Sequence, residues 1–251
     1  MILDGTSIII SIMEQLHLSD KDIAITLPAR ILVAGMSGSG KSTWILKLLK
    51  HRARVLSEPL SAVYYCFPEH STSPKDEQFR SELRKAVPNI NFVIGVPDFA
   101  RIAFLPAAKL VILDDLISSL LDDEKLFNVV TTVSRHSDVS LIITTQNLYL
   151  GGKYSVSLVR NCSEKVFFYD KADRRWLATF SRQMLPQYPN FLPNCMSWLQ
   201  HNEKNSYDRY LVVDNNPKST LPESMLVRTR IFPLEDGSGS IEPIYFSPVS
   251  K

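Results

Sequence analysis

The sequence predicts an α/β fold: a mostly parallel sheet with helices on both faces. Three observations carry this. Short continuous apolar runs recur along the chain, segments of helical periodicity lie between them, and one run breaks into a glycine-rich turn that opens straight into a helix. Unbroken apolar runs mark strands buried on both faces. Alternation of such strands with helices is the pattern of βαβ units.

Residues 1–29 form an N-terminal extension. Its start, MILDGTSIIISIM, carries Asp4 and no basic stretch, so it is expected to be a buried element and not a signal peptide. The apolar run at 31–35 predicts the first core strand, and Trp44, Ile45, Leu48 and Leu49 predict a helix over 41–54. Strands are expected at 61–67, 91–96, 109–115, 139–146 and 164–170 from their β-branched and aromatic runs. Residues 75–87 predict a helix that stops before Pro88. Residues 122–135 predict another, with acids in the first turn and Arg135 in the last. The core thus runs from 30 to 185. Prolines 186, 189 and 193 interrupt the pattern, and a C-terminal part of the core (186–216) holds a helix at 194–202 and a strand at 210–214. The remainder, 217–251, reads as an extended or partly disordered tail.

Apolar residues at 45% and charged residues at 22% exclude wholesale disorder and low-complexity classes. No apolar run reaches the roughly 18–20 residues of a membrane span. The cysteines Cys66, Cys162 and Cys195 are odd in number and far apart, which argues against a disulfide framework or zinc site and for a soluble, intracellular protein. A net charge of +2 means that any nucleic-acid contact must come from local basic patches. Two are visible: Lys47, Lys50, His51, Arg52 and Arg54, and then Arg160, Lys165, Lys171, Arg174, Arg175 and Arg182. For each, a plain solvated helix face is the competing reading.

The chemistry starts at Gly35-Met36-Ser37-Gly38-Ser39-Gly40-Lys41-Ser42, followed by Thr43, which fits GxxxxGK[ST] at every fixed position. Glycines let backbone N–H groups approach phosphate oxygens. Lys41 brings positive charge to the β- and γ-phosphates, Ser42 offers a hydroxyl to Mg2+, and the helix N-terminus adds its dipole. This is a P-loop, and ATP with Mg2+ is the expected cofactor pair. Leu110–Leu113 then run into Asp114 and Asp115. If that strand neighbours the first, Asp114 would hold Mg2+ and Asp115 would serve as general base or position the attacking water. Acids favoured at a helix start are the plainer reading of the same residues. Gln146, ending the strand at 139–145, would place a neutral amide near the γ-phosphate. Asp170-Lys171-Ala172-Asp173 is a poor match to a guanine-recognition motif: its first residue is wrong, and the acidic strand ends without a DxxG glycine.

Together these residues resemble the viral genome-packaging ATPases of the FtsK–HerA superfamily, of the type in poxviruses, adintovirus-like viruses and Polinton elements. The carriers are AGMSGSGKST (34–43), LVILDDL (110–116), SRHSDVSLIITTQNLY (134–149), LVRNCSEKVFFYDKADR (158–174), RQMLP (182–186) and YLVVD (210–214). The resemblance implies a RecA-like core of the ASCE type, a homo-oligomeric ring, and ATP-driven movement of double-stranded DNA into a preformed capsid, with the viral capsid or portal vertex as partner, at the virus assembly site. It carries over Lys41 and Ser42 as nucleotide and Mg2+ ligands, Asp114 as the Mg2+ residue, Asp115 as the catalytic acid and Gln146 as the sensor. A ring motor supplies an arginine to the transition state, and Arg135 is the first candidate, Arg160 the second. The chain departs from its relatives in having Asp115 where many have Glu, His136 alone where many have a His pair, and Val156 where many have Arg. The alternatives are another P-loop enzyme, a nucleotide kinase or GTPase not acting on DNA, and a nucleotide-binding assembly protein without turnover.

Overall fold

The structure, a computed structural model, describes residues 2–3, 6–12, 24–124, 127–128, 132, 137–146, 154–169, 174–217, 219, 226–235 and 238–248. In chain order the elements are β1 (Ile2–Leu3), β2 (Thr6–Ile12), β3 (Arg30–Ala34), α1 (Lys41–Lys50), α2 (Arg52–Val55), β4 (Ala62–Phe67), α3 (Pro74–Ala86), β5 (Asn91–Ile94), α4 (Phe99–Ala103), β6 (Lys109–Leu113), α5 (Ile117–Asp122), β7 (Val139–Thr145), α6 (Ser155–Asn161), β8 (Glu164–Phe168), α7 (Arg174–Met184), α8 (Phe191–Asn202), β9 (Tyr210–Asp214), β10 (Val227–Thr229) and β11 (Ile244–Pro248). Among the described residues they build one 11-stranded sheet in the order β1-β2-β11-β10-β9-β8-β3-β7-β6-β4-β5. From β8 to β5 every pairing is parallel, and from β8 to β1 every pairing is antiparallel.

The central parallel strands are buried along their length, as unbroken apolar runs require, while β5 at the sheet edge is partly exposed. β6, β7 and β8 have no exposed residue at all. Alternate residues serve opposite faces. Ile31, Val33, Leu110, Ile112 and Ile142 pack with Trp44, Ile45, Leu48 and Leu49 of α1 and Leu83 of α3. Leu32, Val111, Leu113, Leu141 and Ile143 pack on the other side with Phe99 and Ile102 of α4, Leu121 of α5 and Leu158 of α6. Further along the sheet, Phe167, Leu211 and Val213 meet α7 and α8 through Phe180, Leu192, Cys195 and Leu199.

Several boundaries differ from those read in the sequence. The helix expected over 41–54 divides at His51, where the Arg52 guanidinium occupies the carbonyls of Leu49 (2.7 Å) and Ala86 (3.0 Å). The helix at 75–87 begins one residue earlier, with Pro74 inside a capping box formed by Ser73 and Asp76. Pro193 does not interrupt structure. It sits in the first turn of α8, where its missing N–H has no intrahelical acceptor to lose. Most of the helix expected over 122–135 lies outside the described residues. The acidic strand does not neighbour the first core strand: β7 runs between β6 and β3, pairing with both. The segment 217–251, read as a tail, supplies β10 and β11. β11 in turn pairs with β2 of the N-terminal extension, Phe246 opposite Ile10, so both chain ends extend the sheet beyond β9.

Candidate nucleotide site

The glycine-rich turn follows β3 and leads into α1. Its first glycine is fixed by crowding. A Cβ on Gly35 would stand 2.7 Å from both Phe168 Cβ and Ser39 Oγ, and its N–H donates to the Thr145 carbonyl at 3.1 Å. Gly40, the residue before α1, has φ 114°, a left-handed conformation disfavoured for a side-chain-bearing residue. No side chain caps α1 and no acid lies in its first turn, so its leading N–H groups and the positive end of its dipole face outward unopposed. This fits an anion. Lys41 folds back over the turn, its Nζ donating to the carbonyls of Gly35 (2.5 Å) and Met36 (3.0 Å). Burial lowers its pKa, and Asp114 and Asp115 partly restore it.

The opposite wall comes from the ends of β6 and β7. Asp114 N donates to the Cys66 carbonyl at 2.9 Å, which anchors the residue to β4. One carboxylate oxygen accepts the Tyr65 hydroxyl, and the other accepts the Thr144 hydroxyl at 2.7 Å. The same Thr144 oxygen accepts from Asp115 N at 2.8 Å. Asp115 itself has φ 55°, a left-handed conformation uncommon for a non-glycine residue, and Thr144 bonds it there. Gln146 Nε2 lies 3.3 Å from each Asp115 carboxylate oxygen. Burial and the adjacent Asp114 push the Tyr65 hydroxyl well above its ordinary pKa, so it stays a donor.

These walls enclose a cavity of about 360 Å3, lined by Ser37, Gly38, Gly40, Lys41, Ser42 and Thr43 on the loop side and by Asp114, Asp115, Thr144 and Gln146 opposite, with Ser71, Asp76 and Tyr207. Of the residues singled out in the loop, Gly35, Met36 and Ser39 do not line it. Met36 is exposed, while the Ser39 hydroxyl is buried with no hydrogen-bond partner among the described residues. A second cavity shares Ser42 and Asp114 and continues past Tyr65 to Lys75 and Arg80. Among the described residues no group of three or more His, Cys, Asp and Glu side chains suits a metal. Ser42 and Asp114, which share the cavity, suit Mg2+, a cation bound through few protein oxygens plus water and phosphate.

Arg135, His136 and residues 170–173 lie outside the described residues. Arg160 is exposed at the end of α6, just before β8 begins, and so at the sheet end away from the cavity. The first basic patch is largely engaged within the fold. Lys47 pairs with Asp208 (3.2 Å) and Glu235 (3.1 Å), and Arg54 donates to the Gly239 carbonyl. In the second, Lys165 is buried and bonds the Cys162 carbonyl, while Arg174, Arg175 and Arg182 stand exposed on α7.

Thr144, Tyr65, Asp76 and Tyr207 were not singled out in the sequence. Thr144 carried a faint signal, as a hydroxyl just before Gln146 at a strand end. Tyr65 carried none, because it sits in an apolar run and reads as core.

The family profile described as Poxvirus A32 protein matches residues 19–166. No curated protein matches the chain. Among solved structures, a genome packaging NTPase, B204 from Sulfolobus turreted icosahedral virus 2 in complex with ATP-gammaS, is similar at 16% identity and a TM-score of 0.43, over 75% of this chain and 92% of that one.

Proposed function

As this chain belongs to the poxvirus A32 protein family, we propose that it is an ATP hydrolase that drives double-stranded DNA into a preformed viral capsid. The observation that carries the reading is that Lys41, Ser42, Asp114, Asp115 and Gln146 line one cavity.

ATP enters with its β- and γ-phosphates against the open N-terminus of α1. Lys41 exchanges the carbonyls of Gly35 and Met36 for phosphate oxygens. Ser42 and Asp114 would hold Mg2+, which would supply positive charge to offset the charge that develops on the phosphate oxygens. Asp114 is kept in one orientation by Tyr65 and Thr144. Asp115 orients a water on the γ-phosphorus and accepts its proton as the new P–O bond forms and ADP leaves. Gln146 would act as the sensor of the γ-phosphate, a reading supported by its amide lying beside the Asp115 carboxylate. Arg135 stays the candidate for an arginine contributed across a ring interface. The exposed Arg174, Arg175 and Arg182 offer a duplex phosphate backbone a sequence-independent contact.

The test is steady-state ATPase turnover with and without duplex DNA across a salt series. Stimulation by DNA that fades as salt rises is expected. Turnover indifferent to DNA at every salt concentration overturns the motor reading, and phosphate transfer to a small acceptor identifies a kinase instead.

A further inference from the structure

The loop's two flanks are unlike. On one flank, toward β7 and β6, stand the carboxylates and Gln146. On the other, toward β8 and β9, stands an aromatic. Residues Ser206–Asp208 form a single 3-10 turn that leads into β9, and β9 starts where β8 ends, with Tyr210 opposite Phe168. The turn therefore lies at the same sheet end as the loop. It is close enough that a Cβ on Gly40 would meet Tyr207 Cα at 3.2 Å.

Tyr207 is 47% exposed, yet its backbone is well held. Asn205 Oδ1 accepts from Tyr207 N at 3.1 Å, and Asp208 is paired to Lys47 of α1 at 3.2 Å. A large exposed aromatic on a pinned turn, lining a cavity built for phosphates, has nothing in the fold to stack on it: no ring pair or cation–π contact involves it among the described residues.

The direction of the triphosphate follows from the first flank. The γ-phosphate must face Asp115, so the α-phosphate and nucleoside leave the loop toward β8 and β9. We propose that Tyr207 is the stacking platform for the nucleotide base. This rests on the nucleotide-site reading above and assigns that site its base-binding residue. Stacking uses the π-face common to all bases, so Tyr207 raises affinity for nucleotides over bare polyphosphate without choosing adenine over guanine.

The experiment is calorimetric binding of ATP, GTP and inorganic tripolyphosphate, each with Mg2+, to wild type, Tyr207→Ala, Tyr207→Phe and Lys41→Ala. Tyr207→Ala is expected to weaken ATP and GTP alike, by roughly 5- to 150-fold, and to leave tripolyphosphate unchanged. Tyr207→Phe keeps nucleotide affinity, since the ring and not the hydroxyl acts. If Tyr207→Ala leaves ATP untouched, or weakens tripolyphosphate as much as ATP, the base-platform assignment is wrong while the phosphate site stands. If Lys41→Ala binds tripolyphosphate as wild type does, the phosphate-site reading falls, and this one falls with it.

Discussion

Thr144→Val isolates the one hydroxyl that joins both acids. The exchange keeps shape and β-branching on β7 and removes two bonds: a charge-assisted one to Asp114 (2.7 Å) and one from Asp115 N (2.8 Å). A bond to a charged group contributes about 1.5–3 kcal/mol and a neutral one about 0.5–1.5 kcal/mol, so about 2–4 kcal/mol of stability is lost. For a chain of this size that lowers Tm by roughly 5–15 °C and leaves the protein folded. Loss of kcat should exceed what unfolding explains. With Asp114 held on one side only and Asp115 released from its left-handed conformation, a transition-state loss of about 1.4–2.8 kcal/mol is expected, or roughly 10- to 100-fold in kcat. Thr144→Ser keeps the hydroxyl and should recover most of it. The assay is ATPase turnover against Mg2+ concentration below the variant's Tm. A Thr144→Val protein with lowered Tm but wild-type kcat and Mg2+ midpoint would show that the hydroxyl only packs the strand end, and the account of the acids would be wrong.

Three other expectations are simpler to state. Asp115→Asn should bind ATP nearly as well as wild type while kcat drops by about 10²–10⁴, the scale of a lost general base; equal loss of binding would place Asp115 among the nucleotide ligands instead. Glu164 is 1% exposed, and desolvation holds its pKa well above 4.5, against the opposing pull of Arg228. Above about pH 4.5 the unfolded chain releases this proton while the folded one keeps it, so urea-melt stability should fall with rising pH more steeply in wild type than in Glu164→Gln; parallel curves would contradict this. Burial pushes the Cys66 thiol up to about 12 and the Cys162 thiol to about 11, and Cys195 is buried too, so a thiol reagent at pH 8 should label the native protein slowly and all 3 cysteines at once in denaturant; rapid labelling of the native chain would contradict the packing of β4 and α8.

What the sequence made legible follows from what each signal measures. Strands β3, β6, β7 and β8 were readable because burial on both faces demands unbroken apolar runs, and their observed ends fall within two residues of those expected. The loop was readable because crowding at Gly35 and the left-handed turn at Gly40 restrict those positions to glycine. The β10–β11 ribbon was not, because its strands are short and are held between β9 and the distant β2, a pairing that no local pattern announces. Tyr65 and Tyr207 were hidden for opposite reasons, one looking like core and the other like a loop residue. The pairing of Lys47 in the first basic patch was equally hidden, since charge along a helix does not disclose that Asp208 and Glu235 arrive from far along the chain to meet it.

The interposed strand explains why acids from a strand not paired with β3 still face the loop. β7 is in register with both neighbours: Ala34, the last residue before the loop, lies opposite Thr145, and Leu113, the last before the acids, lies opposite Ile143. β6 therefore ends two residues short of β3 as measured along β7. Asp114 and Asp115 fill that offset at the level of Thr144, whose hydroxyl meets both. Gln146 is the next residue beyond the Thr145 carbonyl that holds Gly35. Three consecutive positions, 144–146, thus contact the phosphate turn, the proposed metal ligand and the proposed base, and supply the proposed sensor. A change in Gln146 on loss of the γ-phosphate would act on the strand that positions all of them. On this geometry a lengthened β7 should be worse than a shortened side chain: inserting one residue between Thr144 and Gln146 should abolish turnover altogether, whereas Gln146→Ala should only reduce it.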